Sequence, residues 1–304
     1  MPKKMYFQAS INLYHYLMNY KVQDHVFDIE SFPTQVPRLY ADKLDYENKL
    51  QDLRKAISEA QSRLFEQPSS GVLVVFQAMD AAGKDGTMQA VFQGVHPLGL
   101  SFQTFKRPSE TEWRHDFMWR CVKEAPERGH IQVFNRSYYE EVLIVKIHED
   151  KLIPAQGISP ELRGEDFWDN RYRAIRHWED YMANNGFKII KFFLHVSKQE
   201  QGKRLKERLE DSSKHYKFQP GDLDEREFWD QYQKAYELMI QKTATAQNPW
   251  FVIPADDKRT MRMLVAEVLQ NELQTLVPPR VPTALFSAEQ IQLWTTRIDE
   301  QNKK

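Results

Sequence analysis

Apolar and polar positions alternate along this chain in a way that predicts a succession of buried strands and one-sided helices. Over residues 41–66, Leu44, Leu50, Leu53, Ile57, Ala60 and Leu64 recur at helical spacing, which predicts an amphipathic helix lying over a sheet. Val72 to Phe76 is an unbroken apolar, β-branched run, the pattern of a strand buried on both faces. Further strands are predicted at 100–105, 131–134 and 188–196, with a last strand and loop over 249–258. Ser109 and Glu112 have capping-box spacing and predict a helix carrying Trp113, Arg114, Asp116, Phe117, Trp119 and Arg120. A helix over 167–182 puts Trp168, Tyr172, Ile175 and Trp178 on one face, and Asn184-Asn185-Gly186 stops it. Two more, over 224–242 and through Leu264, Val268 and Leu273, complete the pattern. Residues 148–166, with Pro154, Gly157, Pro160 and Gly164, read as a loop.

Strands alternating with helices predict an α/β fold, a three-layer sandwich with a mostly parallel sheet and helices on both faces. The main domain is expected at 41–276, preceded by an arm over 1–40 rich in Tyr and Phe. That arm is expected to pack on its own domain or on a partner subunit. A tail over 277–304 holds a short amphipathic helix around Ile291, Trp294 and Ile298.

Composition narrows the functional classes. The chain has 304 residues, 41% hydrophobic and 28% charged, as expected of a soluble globular protein with a sizeable core. A formal net charge of −1 argues against bulk binding to nucleic acid or to an anionic membrane, so any basic site must be local. No stretch approaches the roughly 20 apolar residues needed to span a bilayer. Cys121 is the single cysteine, which excludes an intrachain disulfide and makes the cytoplasm the simplest compartment. No signal peptide is expected, because Lys3 and Lys4 are not followed by an uninterrupted apolar core.

The chemistry begins where the first buried strand ends. Ala78-Met79-Asp80-Ala81-Ala82-Gly83-Lys84-Asp85-Gly86 follows it as a small-residue loop, and Thr87 to Val95 can continue as a helix. Strand, tight loop and helix start together form a phosphate cradle, in which backbone N–H groups converge on one anion and Lys84 adds a point charge. The match to G-x-x-x-x-G-K-[ST] is imperfect: Ala78 replaces the first glycine and Asp85 replaces the hydroxyl residue. Asp80 adds a second acid. An acid about 4 Å from a phosphate oxygen is disfavoured by roughly 4 kcal/mol at an effective dielectric near 20, so Asp80, with Asp85, is expected to hold magnesium. The competing reading is an ordinary turn capping a helix.

Asn135-Arg136-Ser137-Tyr138-Tyr139-Glu140 ends the strand at 131–134 and should face the loop across the crevice at the carboxyl edge of the sheet. Arg136 can grip phosphate oxygens there, unless it is simply a surface ion pair with Glu140. A strongly charged helix opens at Ser197 and Glu200, with Arg204 and Arg208 on one face. It is a candidate lid over about 198–228 that closes on polyanion, with Lys214 and Lys217 at its far end, or else a solvated, salt-bridged helix. His115 is expected to be a hydrogen-bond partner rather than an acid-base catalyst. Asp256 and Asp257 are candidates for a base contact or for capping the next helix.

These motifs resemble the polyphosphate kinase 2 family. The resemblance runs over roughly 41–276 and covers the phosphate loop, the His115-Asp116-Phe117-Met118-Trp119-Arg120 run, the Asn135-to-Glu140 motif, the lid with Tyr216-Lys217-Phe218, and Trp250-to-Asp256. It implies a P-loop kinase-like fold with a helical lid. It also implies transfer of a phosphoryl group from inorganic polyphosphate to nucleoside mono- and diphosphates, AMP and ADP foremost and GMP or GDP in addition, in either direction. Asn135 with Glu140 is similar to the class III members, which accept both AMP and ADP, whereas ADP-only members carry Asp at that position. Tyr216 departs from the usual Trp. The implied site comprises Asp80, Lys84, Asn135, Arg136 and Glu140 for catalysis. Phosphate binding would fall to Ala81, Ala82, Gly83, Lys84, Asp85, Gly86, Arg204, Arg208, Lys214 and Lys217, and Mg2+ to Asp80 and Asp85. A homo-oligomer, dimer or tetramer, is expected. The alternatives are an ATP-dependent nucleoside monophosphate kinase and a non-catalytic nucleotide-sensing P-loop protein.

Overall fold

The computed structural model describes residues 17–276 and 286–302. Six strands form one sheet: β1 (Lys21–Val22), β2 (Gly71–Gln77), β3 (Leu100–Thr104), β4 (Ile131–Asn135), β5 (Phe187–His195) and β6 (Trp250–Pro254). Their spatial order is β1-β6-β5-β2-β4-β3, with every pairing parallel except the edge pair β1 and β6. The longer helices are α1 (Lys43–Glu66), α2 (Lys84–Val91), α3 (Phe167–Asn184), α4 (Lys198–Glu210), α5 (Gly221–Glu227), α6 (Trp229–Thr243), α7 (Lys258–Leu276) and α8 (Ala288–Gln301). Helices α1, α2 and α7 pack together as one layer, and α3 and α6 as the other, with the sheet between them.

All seven residues of β2 are buried, as its continuous apolar run requires of a central strand. The chain leaves β2 to build β3 and β4 on one side and returns to build β5 and β6 on the other. This makes the carboxyl end of β2 a topological switch point, the place where open α/β sheets leave a crevice for ligands. In the register, Phe76 of β2 stands level with Asn135 of β4 and Phe192 of β5, so the loops after β2 and β4 emerge side by side.

Three expectations need correction. The helix opened by Ser109 forms its full capping box but lasts one turn, Glu110–Trp113, and helix resumes only at Trp119–Val122. Between the two, the Asp116 carboxylate takes the Met118 N–H at 3.0 Å and holds the chain in a turn. The segment 148–166 is not wholly loop: Glu149–Ala155 is helical, with acids in its first turn and Pro154 near its end, where Gln156 N–H closes the last turn on Leu152 and Ile153. The described part of the arm forms β1, which the sequence did not indicate. The arm packs on its own domain there: the Val252 N–H donates to the Tyr20 carbonyl and the Asp256 N–H to the Thr34 carbonyl. Residues 1–16 and 277–285, parts of the arm and the tail, lie outside the described residues.

Candidate active site

Residues 78–83 link β2 to α2 in a loop whose backbone is set by two left-handed residues, Ala81 at φ 60° and Gly83 at φ 107°. Glycine adopts that region freely, whereas an alanine there is strained by roughly 1–2 kcal/mol, so the surroundings must hold Ala81 in place. The first helical bond of α2 runs from Thr87 N–H to the Gly83 carbonyl, which leaves the N–H groups of Lys84, Asp85 and Gly86 without an intrahelical acceptor. Lys84 folds back over the loop, and its Nζ donates to the Ala78 carbonyl at 2.8 Å and the Met79 carbonyl at 3.4 Å. Burial, then repulsion from Arg136, hold its ammonium below the usual lysine value, against the pull of Asp80, Glu140 and Asp85.

Arg136 follows β4 and is itself left-handed, at φ 62°. Its Nη2 donates to Asp80 Oδ1 at 2.7 Å, across the mouth of the loop. The sequence left open an ion pair with Glu140. In the structure the direct partner is Asp80, while Glu140 acts through its charge: it is the largest cause raising the guanidinium's pKa, ahead of burial, which opposes it, and of Asp80. Burial alone would raise the Asp80 carboxyl, but Arg136 and Lys84 outweigh it and hold the group below the usual carboxylate range. Asp80 therefore stays ionised beside two cations. On the other flank of the loop, the Asn135 amide donates to Asp85 Oδ1 at 2.7 Å. Asp80, Lys84, Asp85, Asn135, Arg136 and Glu140 are thus brought together at one edge of the sheet.

Helix α4 covers this loop with a polar face. Gln201, Arg204 and Leu205 are its buried residues, and Gln201 Nε2 donates to the Asp80 carbonyl at 3.0 Å. Arg204 is 3% exposed and reaches the carbonyls of Ala81, Ala82, Ala255 and Asp256 as well as Glu200 Oε1. Those five contacts use all five guanidinium N–H groups. Arg204 therefore has no donor left for a phosphate. It grips the loop from the carbonyl side, which turns the opposite, N–H side toward the crevice. The expectation that Arg204 binds phosphate directly does not fit this arrangement.

The other cations expected of the lid sit farther out. Arg208 donates to the Lys217 carbonyl at 2.9 Å and pairs with Asp222 at 3.2 Å, yet its charge is felt by Asp80. Lys214 is exposed and paired with Asp211, and Lys217 is exposed beside the Tyr216 ring. Neither reaches the loop. His115 stacks on Trp119 with ring centroids 3.9 Å apart, consistent with a structural role. Asp257 caps α7 by accepting from Thr260 N–H at 2.7 Å, and Asp256 accepts from Ser197 N–H at 2.8 Å and Thr34 Oγ1 at 2.9 Å. Cys121 is fully buried and unpaired, and burial pushes its thiol far from ionisation, so it is a packing residue.

Gln201 was not anticipated among the site residues. Its only trace in the sequence is the spacing Gln201, Arg204, Leu205, Arg208, one face of a helix that otherwise reads as uniformly charged.

The donor set can be tested against a metal. Asp80 in the loop and Asp85 in the first turn of α2 supply two hard carboxylates, and among the described residues no group of three or more His, Cys, Asp or Glu converges on a point. A carboxylate pair completed by waters and substrate phosphates is the pattern magnesium takes, so the residues fit it.

A family model described as Polyphosphate kinase 2 matches residues 40–279. An ADP-polyphosphate phosphotransferase from Rhodopseudomonas palustris is 44% identical over 249 residues, 82% of this chain and 86% of that protein. An AMP/ADP-polyphosphate phosphotransferase from Meiothermus ruber is 40% identical over 262 residues, 86% of this chain and 94% of that protein. The crystal structure of Polyphosphate Kinase 2 from Arthrobacter aurescens TC1 superposes with a TM-score of 0.80 at 34% identity, covering 89% of this chain and 93% of that one.

Proposed function

The chain belongs to the polyphosphate kinase 2 family, and from that premise we propose that it transfers a terminal phosphoryl group from inorganic polyphosphate to nucleoside mono- and diphosphates, and back. The observation that carries the reading is the convergence of Lys84 and Arg136 on Asp80 at the mouth of a loop with free amides. Two cations, one carboxylate and a row of N–H donors form a site for a polyanion, with a negative group left to hold a metal.

The acceptor is already an anion, so no general base is needed and catalysis rests on positioning and electrostatics. The loop amides and Lys84 hold the phosphoryl group undergoing transfer. Arg136, kept charged by Glu140 and Asp80, neutralises charge on its oxygens as they pass between donor and acceptor. Members of this family use a divalent metal. We take it to be magnesium on Asp80 with Asp85, where it would neutralise phosphate charge. Gln201 and Arg204 hold the loop in the conformation that presents its amides. The segment from α4 to α5 is the lid, and Arg208, Lys214 and Lys217 are its cations toward the donor.

Asn135 and Glu140 support acceptance of both AMP and ADP, with GMP and GDP as further acceptors. Among the described residues no helix is long and apolar enough to cross a membrane. A cytoplasmic homo-oligomer that binds neither nucleic acid nor membrane is the setting we propose. The test is product formation by purified protein given long-chain polyphosphate and magnesium, with AMP, ADP or GDP supplied separately and no ATP. ATP appearing from both AMP and ADP is expected. Activity only when ATP replaces polyphosphate would make the protein an ordinary nucleotide kinase, and no turnover with any donor would leave a nucleotide-sensing protein.

A further inference from the structure

Beside the first turns of α2, two arginines line one groove without an ion-pair partner among the described residues. Arg54 comes from α1 and Arg262 from α7, the two helices that pack beside α2. Arg262 makes no hydrogen bond and no ion pair among the described residues, and its Nε is buried without a partner. Arg54 donates through Nε to the Ala90 carbonyl at 2.5 Å and also has no carboxylate partner among the described residues. Burial holds the Arg54 guanidinium below its usual pKa, Tyr46 opposes the shift, and the charge of Arg262 adds to it. Both side chains line a groove of about 490 Å3 in which they are the only charged residues, accompanied by the amides of Gln89 and Gln93. The same two arginines also border a wider groove along α1, where Lys55 and Arg63 join the carboxylates of Glu47, Asp52 and Glu59, so the purely cationic part is the narrower groove that reaches Gly86.

This groove adjoins the first turn of α2. Gly86, whose N–H is one of the free amides of α2, lines the groove, and a Cβ placed on it would lie 3.0 Å from Arg262 Nη2. Glycine at this position lets the guanidinium rest against the first turn of α2. Two like charges held together in a partly desolvated groove are unfavourable unless an anion joins them, and a guanidinium with free N–H groups is suited to phosphoryl oxygens. We propose that Arg54 and Arg262 form an accessory phosphoryl-anion subsite that takes phosphates of the polyphosphate chain distal to the one bound in the loop, an inference that rests on polyphosphate being the donor.

The experiment compares the full-length wild type with Arg262→Gln, Arg262→Lys and Arg54→Gln, using long-chain polyphosphate and inorganic tripolyphosphate as alternative donors to ADP. Direct binding of long-chain polyphosphate is measured by calorimetry alongside, without nucleotide. Arg262→Gln is expected to raise KM for the long chain roughly tenfold, the loss of one charge-assisted contact, with kcat and the tripolyphosphate KM unchanged. Arg262→Lys should recover part of the loss. Because Arg54 also bonds the Ala90 carbonyl, its variant is read together with a melting curve. An equal rise for both donors would place the effect in the central site and overturn the proposal. An unchanged KM for both would do the same, and a rise confined to the ADP KM would assign the anion to the nucleotide. If the wild type turned over neither donor, the proposed function would fail. Weaker polyphosphate binding by Arg262→Gln in the calorimeter would still support the subsite, and equal binding would overturn it.

Discussion

The Asn135 amide donates to the Asp85 carboxylate at 2.7 Å, joining the end of β4 to the first turn of α2 through a bond that an ionised acid at position 135 could not make. Asn135→Asp would set two carboxylates against each other. At about 4 Å and an effective dielectric near 20 their repulsion is about 4 kcal/mol, relieved only by a cation between them. The variant should melt several degrees below wild type without magnesium and regain more of its melting temperature than wild type as magnesium is added. Identical melting with and without metal would show that the Asn135–Asp85 bond carries no weight.

Arg204 tests a different relationship, because its five contacts are to protein and four of them are to backbone carbonyls. Lysine keeps the charge but cannot reach four separated acceptors. Arg204→Lys should therefore destabilise by about 3 kcal/mol, a fall in melting temperature of roughly 5–10 °C, with kcat reduced because Ala81 and Ala82 are released. Were Arg204 a phosphate ligand instead, the polyphosphate KM would rise while the melting temperature held.

The central strands were legible because a run such as Val72 to Phe76 has no other stable location than the middle of a sheet. The tight connection from β2 to α2 was legible for a similar reason, since a small-residue stretch ending in Gly83-Lys84 after a buried strand marks a loop that opens a helix. The direction in which Arg204 points was not. The spacing of Arg204 and Arg208 shows that they share a face, but the loop carbonyls that capture Arg204 are more than 100 residues away in sequence and carry no side-chain signal. The same holds for β1, whose two residues pair with β6 by backbone bonds alone, and for Gln201, which bonds a backbone carbonyl. In each case the partner is main chain, which looks alike at every position.

His195, at the end of β5, gives the structure a pH signature. Burial lowers its pKa from 6.5 to about 4, against the opposing pull of Asp256. In the folded protein it stays neutral over a range in which the unfolded chain binds a proton there, so unfolding takes up protons between those values. Its share of stability is complete above pH 6.5 and is lost as the pH falls toward 4, by an amount on the order of 3 kcal/mol. Melting temperature followed from pH 7 to pH 4 should fall less steeply for His195→Gln than for wild type. Parallel curves for the two proteins would remove His195 from the pH dependence.

Lys84 separates chemistry from stability. Its ammonium is buried, held below its usual pKa by that burial and by Arg136, and bonded only to the carbonyls of its own loop. A cation kept in such a place costs the fold free energy, so its removal should leave the melting temperature within a few degrees of wild type. The transferred phosphoryl group, in contrast, would lose the ammonium that the loop holds beside it. Lys84→Met, which keeps the stem and drops the charge, should lower kcat by two or more orders of magnitude, about 3 kcal/mol of transition-state stabilisation. The loss should appear in kcat and kcat/KM together, because the contact strengthens as charge shifts during transfer rather than on binding. A variant with near-normal kcat and a raised KM would reassign Lys84 to ground-state binding, and the loop amides with Arg136 would then carry the transfer alone.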